Sequence, residues 1–142
     1  MRYLGLDLGE KTLGISISNG IIANNYKTLR HDSEYDRLIL DVFEIVKEEH
    51  IDKIVLGFPK NMNNSIGKRA EITLDFKKKL EDKIKIEVIL EDERLTSKLA
   101  NSFMIKEDIS RKKRKERVDG MASVIILQSY LDRKVNWNEW EK

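Results

Sequence analysis

The sequence predicts an α/β domain built on a mixed five-stranded sheet, three antiparallel strands followed by parallel ones, flanked by helices. Short apolar runs dominate the first third of the chain, and Asn19-Gly20 between two of them is its strongest short hairpin signal. Further on, apolar runs alternate with stretches of helical period, as parallel strands joined by crossover helices do. Those stretches carry their apolar residues on one side, the pattern of helices laid on a sheet.

The elements follow in order. Arg2 to Leu8 reads as a buried first strand, and Gly9-Glu10-Lys11-Thr12 as a tight turn. Leu13 to Ser18 is the second strand, with Ile15 and Ile17 on one face, and Ile21 to Lys27 is the third. Asp32 or Ser33 is placed to cap a helix from about Tyr35 to Glu49, whose Leu38, Val42, Ile45 and Val46 form a core stripe. Lys53 to Gly57 is a short, fully buried strand, parallel to the first. After the polar loop Lys60 to Lys68, a second helix aligns Ile72, Phe76 and Leu80. Lys85 to Leu90 is the fifth strand, and a third helix starts near Thr96. The last helix, about Val118 to Leu131, is apolar on nearly all sides and is expected to pack deep against the sheet. Trp137 and Trp140 are expected to cover an edge or to be partly exposed, and His31 and His50 to lie on the surface.

At 142 residues the chain is expected to form one domain over 1–142, long enough to bury a core. Apolar residues make up 40 % and charged residues 37 %, a globular profile with a heavily charged surface. The longest wholly aliphatic stretch, Val124 to Leu127, is too short to span a bilayer, and the start has no apolar signal region. A cytoplasmic protein without a membrane partner is the expectation. The absence of cysteine excludes disulfides and thiolate metal sites. Net charge is only +2, but residues 111–117 hold six basic side chains and one acid, so the rest of the chain is net acidic. Such a run is commonly a solvated face. Lying just before Asp119, it is expected to grip a polyanion.

Three carboxylates stand where element ends can aim them at one place: Asp7 near the close of the first strand, Glu93 after the fifth, and Asp119 at the start of the last helix. Acids from distant segments, with no His or Cys beside them, suit hard cations such as Mg²⁺ or Mn²⁺ and point to phosphoryl chemistry. Taken singly, each has a plainer reading. Asp7 can pair with Lys11, Asp119 suits a helix N-terminus, and any acid of Glu91-Asp92-Glu93 can be simply solvated.

Four segments together resemble the YqgF/RuvX family of the ribonuclease H-like, RuvC-like superfamily. They are Gly5-Leu6-Asp7-Leu8-Gly9-Glu10-Lys11-Thr12-Leu13-Gly14-Ile15, the loop Gly57-Phe58-Pro59 to Gly67, Asp92-Glu93-Arg94-Leu95-Thr96-Ser97, and Ser110 through Asp119-Gly120-Met121-Ala122-Ser123 to Leu131. The resemblance implies a ribonuclease H-like fold and a nuclease associated with maturing the 5′ end of pre-16S ribosomal RNA. An older label for the family is Holliday junction resolvase. It implies Asp7, Glu93 and Asp119 as catalytic acids. For phosphodiester chemistry the expected cofactors are two Mg²⁺ or Mn²⁺ ions about 4 Å apart, held by these acids, with Asp7, the most rigidly placed, as the bridging ligand. The resemblance selects Glu93 over its neighbours.

Nucleic acid, most of all structured precursor rRNA, is the implied partner, with ribosomal precursor particles beside it. Lys11, Arg94, Arg111, Lys112, Lys113, Arg114 and Lys115 are the candidate contacts, Arg94 and Lys112 at the scissile phosphate. The chain departs from the pattern at Asn63 and Asn64, where an acid and a glycine are common. It departs again at Ala122, where related resolvases carry a fourth carboxylate. Two other classes compete. Asp7-Leu8-Gly9 with Lys11-Thr12 and Gly14 also resembles the first phosphate loop of actin-like ATPases and sugar kinases, which clasp nucleotide between two such domains. A non-catalytic nucleic-acid or pre-ribosome binding module would keep the same basic run.

Overall fold

The computed structural model describes residues 1–59, 67–92 and 121–134. Its sheet has the strand order β3-β2-β1-β4-β5, with β1 Tyr3–Leu8, β2 Thr12–Ser18, β3 Ala23–Arg30, β4 Lys53–Phe58 and β5 Glu87–Asp92. β1 pairs antiparallel with β2, and β2 with β3, while β1–β4 and β4–β5 are parallel. This is the expected α/β architecture. The predicted helix near Thr96, the loop at 60–66 and both tail tryptophans lie outside the described residues.

β1 is central because its sequence is apolar on both faces. Leu4, Leu6 and Leu8 enter the larger core with α1, Tyr35–Glu48, and α2, Lys68–Ile84. Tyr3 and Gly5 face the other way, towards a helix over 121–134, here α3. α1 and α2 are the crossovers that parallel pairing requires. Leu38, Val42, Ile45 and Val46 are buried as predicted, joined by Ile39.

Several boundaries differ from expectation for identifiable reasons. β3 begins at Ala23, not Ile21. Ser18 pairs with Ala23, so 19–22 form the turn, Gly20 takes φ 115°, and Ile21 and Ile22 are left exposed despite their strand propensity. Neither Asp32 nor Ser33 caps α1. The N-cap is Glu34, without a side-chain cap bond, and Ser33 instead adopts a left-handed φ of 65° and donates its N–H to His31 Nδ1 at 3.1 Å.

Lys85 is not a strand residue. α2 runs on to the buried Ile84, and Lys85 closes it in the left-handed conformation, its N–H donating to the Glu81 carbonyl. α1 ends similarly. His50 sits at φ 54°, its N–H donates to the Lys47 carbonyl at 3.4 Å, and that of Ile51 to the Val46 carbonyl at 3.0 Å. This is a Schellman termination.

α3 is one-sided, not apolar all round. Ala122, Ser123, Ile126, Leu127, Tyr130 and Leu131 are buried, while Met121, Val124 and Ile125 are only half-buried. The helix lies antiparallel to β1. Tyr130 meets Tyr3, ring centroids 5.9 Å apart, and Ser123 and Leu127 lie over Gly5. Ser16 Oγ donates to the Ser123 carbonyl at 2.8 Å. Gln128 accepts from the Ala23 N–H at 2.9 Å and donates to the Ile21 carbonyl at 3.0 Å, fastening the hairpin to the helix.

Candidate functional site at the C-terminal edge of the parallel strands

β1, β4 and β5 run in one direction and end along one edge: Leu6 pairs with Leu56, and Phe58 with Asp92. Asp7 stands at this edge on the central strand, half-buried. The two-residue period places its side chain with Tyr3 and Gly5, on the α3 side. Its cross-strand partner is Gly14, so no neighbouring side chain on β2 crowds the carboxylate. Asp7 is therefore rigidly based on the central strand.

The turn that follows Asp7 is held by long-range hydrogen bonds. Arg69, in the first turn of α2, donates to the Leu8 carbonyl at 2.8 Å. The Gly9 N–H donates to the Thr12 carbonyl at 2.8 Å, and His31 Nε2 meets the Gly9 carbonyl at 2.9 Å. Because His31 Nδ1 accepts from Ser33, the network assigns the proton to Nε2, which donates to Gly9. His31 is thus buried, only 8 % exposed, contrary to the surface position expected from sequence. Its ring packs 5.5 Å from that of Tyr35. Sequence reasoning also missed Arg69. No local pattern announces a contact spanning 61 residues.

At the end of β5 the pleat separates neighbouring acids. Leu90 packs in the α1–α2 core and Ile89 on the α3 side, so Glu91 shares the α3 side and Asp92 faces back. Glu91 is not solvated. It is 3 % exposed and bound by Arg133 of α3. Burial pushes its carboxyl above the ordinary range, and the Arg133 guanidinium opposes the shift.

Of the residues singled out from sequence, the structure places Asp7 at this edge and Lys11, exposed, in the β1–β2 turn. Glu93, Arg94, Arg111, Lys112, Lys113, Arg114, Lys115 and Asp119 lie outside the described residues. Among the described residues no group of three His, Cys, Asp or Glu side chains is placed to hold a metal ion. Nor is any helix long and apolar enough to cross a membrane. In chain order Glu93 follows the last residue of β5, and Asp119 precedes α3 by two positions.

A five-stranded mixed sheet covered on both faces is a fold of the RuvC-like class. Thermus thermophilus RuvC, solved with a Holliday junction substrate, superposes with a TM-score of 0.61 over 96 % of both chains at 12 % identity, a likeness of fold. The chain belongs to the RuvX family, described as Holliday junction resolvase, whose model matches residues 1–133. A Geobacillus relative is 50 % identical over 137 residues, 94 % of this chain and 99 % of its own length. A Bacillus subtilis relative is 48 % identical over 135 residues, 93 % of this chain and 98 % of its own. Both relatives bear the name "Putative pre-16S rRNA nuclease".

Proposed function

We propose that this protein is a divalent-metal-dependent nuclease that hydrolyses phosphodiester bonds in precursor rRNA, acting in the cytoplasm on the 5′ end of pre-16S rRNA or on particles that contain it. The observation that carries the reading is Asp7, a half-buried carboxylate opposite Gly14 at the edge where three parallel strands end. The family match and the names of the full-length relatives supply the substrate class.

Two further features support a shared site. In chain order Glu93 directly follows Asp92, the last residue of β5, at the edge where Asp7 stands. Followed backwards from Tyr130 over Tyr3 to Ser123 over Gly5, α3 heads for Asp7, and Asp119 stands two residues before its described start. An all-carboxylate set fits Mg²⁺ or Mn²⁺. Asp7, Glu93 and Asp119 would hold the ions. Such ions supply an activated water and neutralise the leaving oxygen. Arg94 and Lys112 would bind the scissile phosphate and balance its growing charge. The residues 111–115 would hold the adjoining backbone by sequence-independent contacts.

The family description and the RuvC likeness favour a second reading, a resolvase acting on branched DNA. One experiment separates the two. An end-labelled, 5′-extended 16S precursor and a four-way DNA junction are each incubated with the protein in Mg²⁺ or Mn²⁺, beside Asp7→Asn. The expected result is metal-dependent cutting of the RNA alone. In Asp7→Asn, removal of one ligand charge should slow cutting about a thousandfold, several kcal/mol of transition-state stabilisation. Cutting of the junction alone would transfer the assignment to the resolvase. Full activity in Asp7→Asn would remove Asp7 from the site.

A further inference from the structure

A groove of about 620 Å³ opens on the opposite side of the β1–β2 turn from the Asp7 side chain. Tyr35 and Ile72, which pack against the α1–α2 core, contribute to its wall. Three cations reach it: Lys11 from the turn, and Lys68 and Arg69 from the start of α2. Glu10 and Asp32 line it too, leaving one net positive charge with His31 neutral.

Those acids do not neutralise the lysines by contact. Among the described residues, neither Lys11 nor Lys68 has an ion-pair partner, and no carboxylate pairs with Arg69. Arg69 spends a donor on the Leu8 carbonyl and keeps the rest of its planar fork for an anion. The Tyr35 ring is engaged by His31 and by Phe76, at 5.5 and 6.0 Å between centroids. It is therefore no free platform for stacking a base.

We infer that this groove is a backbone-phosphate subsite, which takes the phosphodiesters of a single nucleic-acid strand on the far side of the β1–β2 turn from the Asp7 side chain. The inference rests on the nuclease reading for its substrate class. Its geometry is independent of that reading. A 620 Å³ groove lined by three cations exceeds what one phosphate fills and suits successive backbone phosphates. With the Tyr35 ring already engaged, the cations would meet phosphates, contacts that carry no sequence information. Arg69 and His31 line the groove and also hold the Leu8 and Gly9 carbonyls. A strand seated there would thus lie against the same turn that fixes Asp7. Lys68 and Arg69 join Lys11 as substrate contacts.

The test is binding of fluorescein-labelled single-stranded RNA, followed by anisotropy across a KCl series, with Asp7→Asn as the non-cutting parent. Adding Lys11→Gln and Lys68→Gln should weaken binding. It should also reduce the slope of log K against log salt by about 1.4, two contacts at about 0.7 each. The loss should be equal for RNAs of different sequence and for single-stranded DNA. Glu10→Gln should tighten binding. Lys79→Gln with Lys83→Gln removes the same charge from a separate cavity between α1 and α2 and should leave the slope at the parent value. An unchanged slope in the Lys11/Lys68 variant, or an equal drop in the Lys79/Lys83 control, would overturn the subsite. Cutting by the wild-type chain is scored separately. A changed slope without cutting leaves the groove standing and removes the nuclease reading; cutting with an unchanged slope does the reverse.

Discussion

A methyl group added at Gly5 would sit 2.9 Å from Leu127 Cβ, 3.1 Å from the Ser123 carbonyl and 2.2 Å from Ser16 Oγ. The helix backbone has no room to yield there without giving up the Ser16–Ser123 hydrogen bond. Gly5→Ala is expected to destabilise the fold by about 2 kcal/mol, the cost of overpacking a tight contact, read as a lower urea midpoint. An unchanged midpoint would show that α3 can lift from β1 freely. Glu91 carries a different constraint. Its carboxylate is buried and its partner Arg133 half-exposed, so Arg133→Met leaves a charge with little compensation. A loss of about 2 to 3 kcal/mol at neutral pH is expected, and a shift under 0.5 kcal/mol in chemical denaturation would refute the pairing. Gly5 was legible only as the first residue of the motif around Asp7, not as the point where a helix meets the strand. The burial of Glu91 was not, because a run of three acids looks alike residue by residue.

At the scale of elements, the ends of the helices carry the correctable strain. α1 terminates through His50 at φ 54°, a conformation that disfavours a side chain with a Cβ and that glycine adopts without penalty. The two Schellman hydrogen bonds keep the residue there. His50→Gly is expected to stabilise the protein by up to about 1 kcal/mol, raising its melting temperature, whereas a lower melting temperature would mean that the imidazole contributes unseen packing. The helix stripes were legible: Leu38, Val42, Ile45 and Val46 of α1 repeat at helical spacing and are buried. Element ends were harder. Lys85 looked like the start of a strand because an apolar run follows it, but the chain reverses only after Ile84 has entered the core. α3 looked apolar on all sides because composition does not say which face meets the sheet. Ser123 is buried because the Ser16 hydroxyl reaches its carbonyl.

For the whole molecule, the sequence alone determined the order of the described strands and helices, the antiparallel start, the parallel crossovers and the place of Asp7 near the end of the first strand. These are encoded locally, in periods of two and 3.6 residues, in a turn dipeptide and in the motif around Asp7. Tertiary structure alone decided the covering of the two sheet faces by different helices. It also decided the burial of His31, the anchoring of the Leu8 and Gly9 carbonyls by Arg69 and His31, and the cationic groove that Lys11 shares with Lys68 and Arg69. Those contacts span 22 and 61 residues. Local preference carries no record of them. They exist because burying the apolar faces of α1, α2 and the sheet in one core brings distant polar groups to the same edge, where each must find a partner.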